Sequence, residues 1–94
     1  MNAYVYILRC RDGSYYVGST RKSLEERIAE HNAGIHGGYT ACRLPVRLVW
    51  HQDFDRITDA IAAERQLKRW SRAKKEALMA GDFPLLHELA KSRD

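Results

Sequence analysis

The feature that most constrains this chain lies near its start. Two short runs rich in Tyr, Val and Ile, Ala3 to Cys10 and Ser14 to Ser19, are separated only by Arg11-Asp12-Gly13. β-Branched and aromatic residues favour strands, and a short Asp-Gly break between two such runs is a hairpin signal. The loop length then decides which side chains meet. A two-residue Asp12-Gly13 turn pairs Arg11 with Ser14 and puts Tyr6 and Tyr16 on opposite faces, because side chains alternate along a strand. A three-residue loop, with Gly13 in the left-handed position of a bulge, pairs Cys10 with Ser14 and brings both tyrosines to one face. The turn sequence suits either geometry. The three-residue loop is expected here because it lets the two phenols act together.

Ser23-Leu24-Glu25-Glu26 is a capping box, with Ser23 accepting from the Glu26 amide, so a helix is expected from here to about Gly34. Leu24 and Ile28 form its buried stripe, while Arg27 and His31, one turn apart, share a flank that can face a sheet edge or cleft. The stretch Ile35 to Pro45 carries Gly37, Gly38 and Pro45 and reads as a loop. Val46 to His51 alternates well enough for a third strand. A second helix is expected from Asp55–Thr58 to about Trp70, with Ile57, Ile61 and Leu67 as most of its apolar stripe. Glu64 interrupts that stripe, where a carboxylate loses hydration unless a cation, a hydrogen-bond donor or a metal stands nearby. Ser71 and Gly81 bracket a short basic helix; Asp82 and Pro84 start a last one, anchored by Leu85, Leu86 and Leu89, and the tail Lys91 to Asp94 is expected to fray.

Ninety-four residues fit one domain with one core. The chain is 45% hydrophobic and 30% charged, ordinary for a soluble globular protein, with no repeat or low-complexity tract. No apolar run approaches the ~20 residues that span a bilayer, and the start MNAYVYILRCRDG lacks a secretory signal, which points to the cytoplasm and away from a membrane. Cys10 and Cys42 then read as reduced thiols behaving as small buried hydrophobes. The net charge is +4, and six of the eleven residues from Arg65 to Lys75 are basic. Such density suits a phosphate backbone, although a solvated helical face has the same composition.

Tyr4-Val5-Tyr6, Tyr16-Val17-Gly18, Arg27 and His31 together hold two phenols, a guanidinium and an imidazole, which can supply a base, a proton relay and a cationic clamp for an anion. With Glu64 they resemble the GIY-YIG nuclease domain over nearly the whole chain, and the run Glu64-Arg65-Gln66-Leu67-Lys68-Arg69-Trp70-Ser71 resembles its small stand-alone bacterial members. The resemblance implies an α+β fold, a three-stranded antiparallel sheet flanked by helices with a helical, basic C-terminal part from about residue 71, and a cleft for a scissile phosphate.

The resemblance also implies roles. Tyr6 matches the tyrosine that deprotonates the attacking water or relays its proton; a free phenol has a pKa near 10, so a cation such as Arg27 is needed beside it. Tyr16 matches the second motif and would position the water or the phosphate. Arg27 would clamp a nonbridging oxygen, and its bland alternative is a surface pair with Glu30. His31 would take a proton from Tyr6 or assist the leaving group. Glu64 matches the single metal-binding carboxylate, which suits Mg2+ (or Mn2+) because that ion keeps much of its water; its alternative is a helical pair with Lys68. Lys68, Arg69, Arg72, Lys74 and Lys75 would hold flanking phosphates. The chain departs from the pattern in having Tyr4 where the first motif has glycine. Asn2 and Asn32 are its only asparagines, whereas many members carry one after the glutamate.

Three functions fit these residues. The leading one is a metal-dependent endonuclease acting on DNA with little sequence specificity, selective if at all for branched, nicked or single-stranded structures, in repair or recombination; the residues do not distinguish DNA from RNA, nor a monomer from a dimer. The second is a nucleic-acid-binding or adaptor module of the same fold whose cleavage is weak or needs a protein partner to supply affinity. In the third, a basic interaction domain, the tyrosines pack and Glu64 pairs only with Lys68.

Overall fold

The computed structural model describes residues 2–35 and 37–91. In chain order they form β1 (Ala3–Arg9), β2 (Tyr15–Thr20), α1 (Leu24–Asn32), α2 (Gly38–Ala41), β3 (Arg47–Phe54), α3 (Ile57–Lys68), α4 (Arg72–Ala80) and α5 (Phe83–Lys91). The three strands make one sheet in the order β2-β1-β3, antiparallel throughout. This is the expected α+β architecture.

The hairpin takes the three-residue loop. Tyr6 pairs with Gly18, Leu8 with Tyr16 and Arg9 with Tyr15, and beyond them the Cys10 amide donates to Ser14 O at 2.8 Å. Gly13 sits at φ 87°, the left-handed region that favours glycine. Asp12 fixes the loop from inside: it accepts from the Ser14 amide at 3.0 Å and from Ser14 Oγ at 2.6 Å, and Arg43 Nε approaches it at 3.0 Å. Those bonds hold the Asp12 carboxyl below its usual pKa, the Ser14 hydroxyl contributing most.

Central strand β1 is buried on both faces, and the largest fully buried side chains, Val5, Tyr6, Ile7 and Leu8, all belong to it. Alternation splits them. Val5 and Ile7, with Val17 of β2, pack against Leu67 of α3 and against Trp50, Phe54, Trp70 and Leu78. Tyr6, Leu8 and Cys10, with Val46, pack against Leu24 and Ile28 of α1 and against Tyr16 and Leu48. Burying one such aliphatic side chain contributes roughly 1.5–3 kcal/mol, so β1 is the spine of both half-cores. The register shift opposite Ile7 and Leu8, where Ile7 faces Trp50 but Leu8 faces Leu48, is a bulge that sends both Val49 and Trp50 toward α3.

The helices start where their caps predict. Ser23 accepts from the Glu26 amide and Ser71 from the Lys74 amide, while Gly81 closes α4 in the left-handed region. The Asp82 carboxylate accepts from the Leu85 amide at 3.2 Å at the start of α5. Asn32 clamps the end of α1 to the approach of β3, its side chain donating to Val46 O at 3.1 Å and accepting from Val46 N at 2.8 Å.

Four expectations need correction. The segment from Ile35 to Pro45 is not all loop, since Gly38–Ala41 forms the single turn α2; four residues leave no periodicity to read. The third strand runs on to Phe54, because pairing with Val5, Tyr4 and Ala3 holds Gln52, Asp53 and Phe54 extended. Leu85 does not anchor α5: it is 45% exposed, and no residue of α5 is buried. Cys42 is exposed, and only Cys10 behaves as a buried small hydrophobe; both are free thiols. Lys91 closes α5, and the rest of the tail expected to fray lies outside the described residues.

Candidate active site

The register that puts Tyr6 opposite Gly18 also decides where its phenol goes. A Cβ on residue 18 would stand 2.6 Å from Tyr6 Cζ and closer still to its hydroxyl, well inside contact distance. Gly18 therefore serves here through missing volume: it lets the Tyr6 ring lie across β2 and deliver its hydroxyl to the far edge of the hairpin. Three groups wait there. His31 Nε2 lies 3.0 Å from Tyr6 Oη, Arg27 Nε donates to the same oxygen at 3.3 Å, and the Tyr16 ring stands edge-on to His31 with centroids 5.3 Å apart.

Helix α1 supplies the first two because Arg27 and His31 are one turn apart, and Leu24 and Ile28 turn that flank toward the sheet. His31 is 2% exposed. Its Nδ1 lies 3.0 Å from Thr40 Oγ1, itself buried in α2. Tyr6 Oη and His31 Nε2 share a hydrogen bond whose direction the imidazole tautomer sets; with the ring proton on Nδ1, facing Thr40, the Tyr6 O–H donates to Nε2. Thr40, Tyr6 and His31 thus form one chain of hydrogen bonds with Arg27 at its end. Burial raises the Tyr6 pKa; Arg27 opposes that shift, and the nearby Tyr16 and Glu64 reinforce it. The guanidinium does not produce a standing phenolate at neutral pH, contrary to its expected part. Burial works against the charge on Arg27 as well, yet Tyr6, Glu30 and Tyr16 outweigh it and hold its pKa above the ordinary value. Its pair with Glu30, at 3.5 Å, coexists with the bond to Tyr6.

Glu64 arrives from the opposite side of the sheet. Ser19, one residue beyond Gly18, alternates toward α3, and its hydroxyl donates to Glu64 Oε1. The other oxygen, Oε2, holds Lys68 Nζ at 2.6 Å, and this bond raises the Lys68 pKa. β2 thus presents a gap for the phenol at Gly18 and a donor for the carboxylate at Ser19, which brings the two faces of the sheet together at one edge. Among the described residues no three His, Cys, Asp or Glu are grouped to hold an ion. A lone carboxylate, 17% exposed at its side chain, fits a cation that takes its remaining ligands from water and phosphate, as Mg2+ does. Lys68 now sits where such a cation would approach.

Of the five expected site residues, Tyr6, Tyr16, Arg27 and His31 come together in contact, while Glu64 lies across β2, bonded to Ser19 and Lys68 and acting on Tyr6 through its charge. The five expected phosphate-holding residues do not stay together. Lys68 and Lys75 line one cavity with Tyr16 and Tyr39. Arg72 is engaged within the protein, stacked 4.5 Å over Tyr15 and bonded to Glu76 and to Gly13 O. Lys74 lines a separate groove with Trp70, Phe83 and His87, and Arg69 is exposed at the C-cap of α3. Sequence reasoning missed Ser19, Thr40 and Tyr39. Ser19 had a readable signal, since strand alternation puts it on the face away from Tyr6, beside Val5 and toward the helix that carries Glu64; Thr40 and Tyr39 had none.

Two outcomes test this geometry. Gly18→Ala should destabilise the fold by about 1–3 kcal/mol through overpacking, and in urea unfolding its cost should be less than additive with that of Tyr6→Leu, which vacates the same space. Because the Tyr6 pKa is raised from the free value of 10.0, folding favours the protonated phenol: its contribution is full below that value and is lost as pH rises through the folded pKa. Tyr6→Phe should flatten the alkaline fall in stability, measured by unfolding on either side of pH ~10.

A family model described as the GIY-YIG catalytic domain matches residues 2–77. The chain is 46% identical over 78 residues to a UPF0213 protein of Streptococcus pneumoniae, covering 83% of this chain and 78% of that one. It is 45% identical over 75 residues to a UPF0213 protein of Halobacterium salinarum, covering 80% and 96%. Two solution NMR structures are similar. A UPF0213 protein of Bacillus halodurans is 44% identical at a TM-score of 0.55, with 85% of this chain and 84% of that one covered; a protein of E. faecalis is 33% identical at 0.59, with 88% of each covered. Fold, hairpin motifs and family model agree, and the chain belongs to the GIY-YIG catalytic domain family, a family of nuclease-type domains.

Proposed function

We propose that this protein is a small endonuclease that hydrolyses phosphodiester bonds in DNA with little sequence specificity, using a divalent ion, Mg2+ or Mn2+, held by Glu64. It works as a single domain in the cytoplasm, in repair or recombination. The observation that carries this reading is the meeting of the Tyr6 hydroxyl with Arg27 and His31 at one edge of the hairpin, with the charge of Glu64, held by Ser19 across β2, acting on the same phenol.

The residues divide the work as follows. Tyr6 takes a proton from the attacking water on its oxygen while passing its own proton to His31 Nε2, a relay that needs no standing phenolate. His31 receives that proton at Nε2, with Thr40 Oγ1 3.0 Å from its Nδ1. Arg27 stabilises charge developing on a nonbridging oxygen, and Tyr16 orients the phosphate. Glu64 would hold the ion, which would supply Lewis-acid stabilisation of phosphate charge. Lys68 and Lys75, which line one cavity with Tyr16, hold a flanking phosphate, and Arg69 at the C-cap of α3 is exposed to a neighbouring one. Arg72 instead braces the hairpin loop.

A second reading has its own support. Both Glu64 oxygens already have partners, and Tyr6 is 1% exposed, which favours a module whose cleavage is weak until substrate or a protein partner opens the site.

Cleavage of end-labelled linear, single-stranded and branched DNA with Mg2+ or Mn2+ separates the two. The parent should cut, Glu64→Gln and Tyr6→Phe should each lose at least about 100-fold, and salt-sensitive DNA binding should survive in both. A parent that binds but does not cut favours the second reading; cutting that survives both substitutions assigns the chemistry to other residues.

A further inference from the structure

Tyr15, Tyr16 and Val17 of β2, Tyr39 of α2, Lys68 and Lys75 wall a cavity of about 330 Å³. Its walls are of two kinds. The rings of Tyr16 and Tyr39 lie 24° from parallel with centroids 6.3 Å apart. A planar group held between two rings needs roughly 7–8 Å, twice the carbon contact distance of 3.5–4.0 Å, so a small outward movement of Tyr39 admits one. Tyr39 is 43% exposed and its base is firm: Arg43 lies 3.8 Å over its ring, donates to its carbonyl at 2.8 Å and is tied to Asp12 in the hairpin loop.

The second wall is cationic. Lys68 projects from the Glu64 end. Among the described residues Lys75 has no carboxylate partner, and burial alone pulls its pKa down. A half-buried ammonium without a counter-ion beside two aromatic faces is matched by a flat, π-bearing group carrying a phosphate.

We propose that this cavity receives one unpaired nucleobase of single-stranded DNA, inserted between Tyr16 and Tyr39 with its phosphate on Lys75, so that single strands and displaced ends are preferred over intact duplex. The proposal rests on the nuclease reading, since it places that nucleotide next to the bond to be cut. A base within duplex must first leave its stack and its pair, at a cost of a few kcal/mol, and that penalty supplies the discrimination.

Binding measured in the Glu64→Gln background keeps the strand uncut. A single-stranded oligonucleotide carrying 2-aminopurine should bind with quenched fluorescence, and the same strand in a duplex should bind more weakly without the quench. Adding Tyr39→Ala should weaken single-strand binding about 5- to 150-fold and remove the quench. Tyr39→Phe should keep both, because the ring is retained, and Lys75→Gln should lower the salt dependence of single-strand binding by about one ion. Equal affinity for single strand and duplex, absence of quenching, or Tyr39→Ala and Tyr39→Phe behaving alike would overturn the proposal. Stacking signatures in a parent that never cuts DNA refute the nuclease reading and leave the base pocket standing; cutting of duplex as fast as single strand refutes the pocket and leaves the nuclease.

Discussion

Everything at the site depends on the passage of one phenol over one missing side chain. Tyr6 sits on the central strand, the most buried part of the molecule, and without the gap at Gly18 its hydroxyl would be trapped in the half-core beneath α1. Crossing β2 carries the hydroxyl to the sheet edge, within reach of Arg27 and His31 and within the field of Glu64. A strand register thus becomes a chemical arrangement. A one-residue slip of β2 would put Val17 or Ser19 opposite Tyr6, closing the passage and turning Ser19 away from Glu64.

The electrostatics follow from that placement. A phenol buried this deeply resists ionisation, and a single guanidinium at 3.3 Å does not reverse the effect. The group is better suited to passing protons than to holding a charge, and the buried His31–Thr40 pair gives the proton somewhere to go. Glu64 is arranged differently. It is partly exposed, pairs with the Lys68 ammonium and takes a donor from Ser19, a carboxylate already fitted to a cation. On the proposed function, the contrast between a neutral phenol on one side of the edge and a carboxylate paired with an ammonium on the other would divide proton relay from cation binding.

Much of this was legible in the chain. The cap at Ser23 and the spacing of Arg27 and His31 fixed one flank of α1, and the interruption of the α3 stripe by Glu64 marked a carboxylate in need of partners. The hairpin loop was less legible, because Arg11-Asp12-Gly13 satisfies two turn geometries; bonds from Ser14 and Arg43 to Asp12 accompany the longer one, and the Arg43 bond is tertiary. The opposed reading of Glu64, as a partner of Lys68, proved compatible with its place in the site. What no local pattern could supply was α2: one turn entered through two glycines carries Thr40 to His31 and Tyr39 to Tyr16, contacts fixed only when the whole chain has folded. The basic run from Arg65 to Lys75 likewise looked uniform in sequence, but three helix and cap positions send its members to different surroundings.

The most direct test is where a divalent ion sits. Mn2+ added to 15N-labelled protein with a non-cleavable single-stranded oligonucleotide bound should broaden the amide signals of Ser19, Glu64 and Lys68 first, and Glu64→Gln should abolish that pattern. Broadening centred on another carboxylate, such as Asp12 or Asp55, or unchanged by Glu64→Gln, would contradict the account.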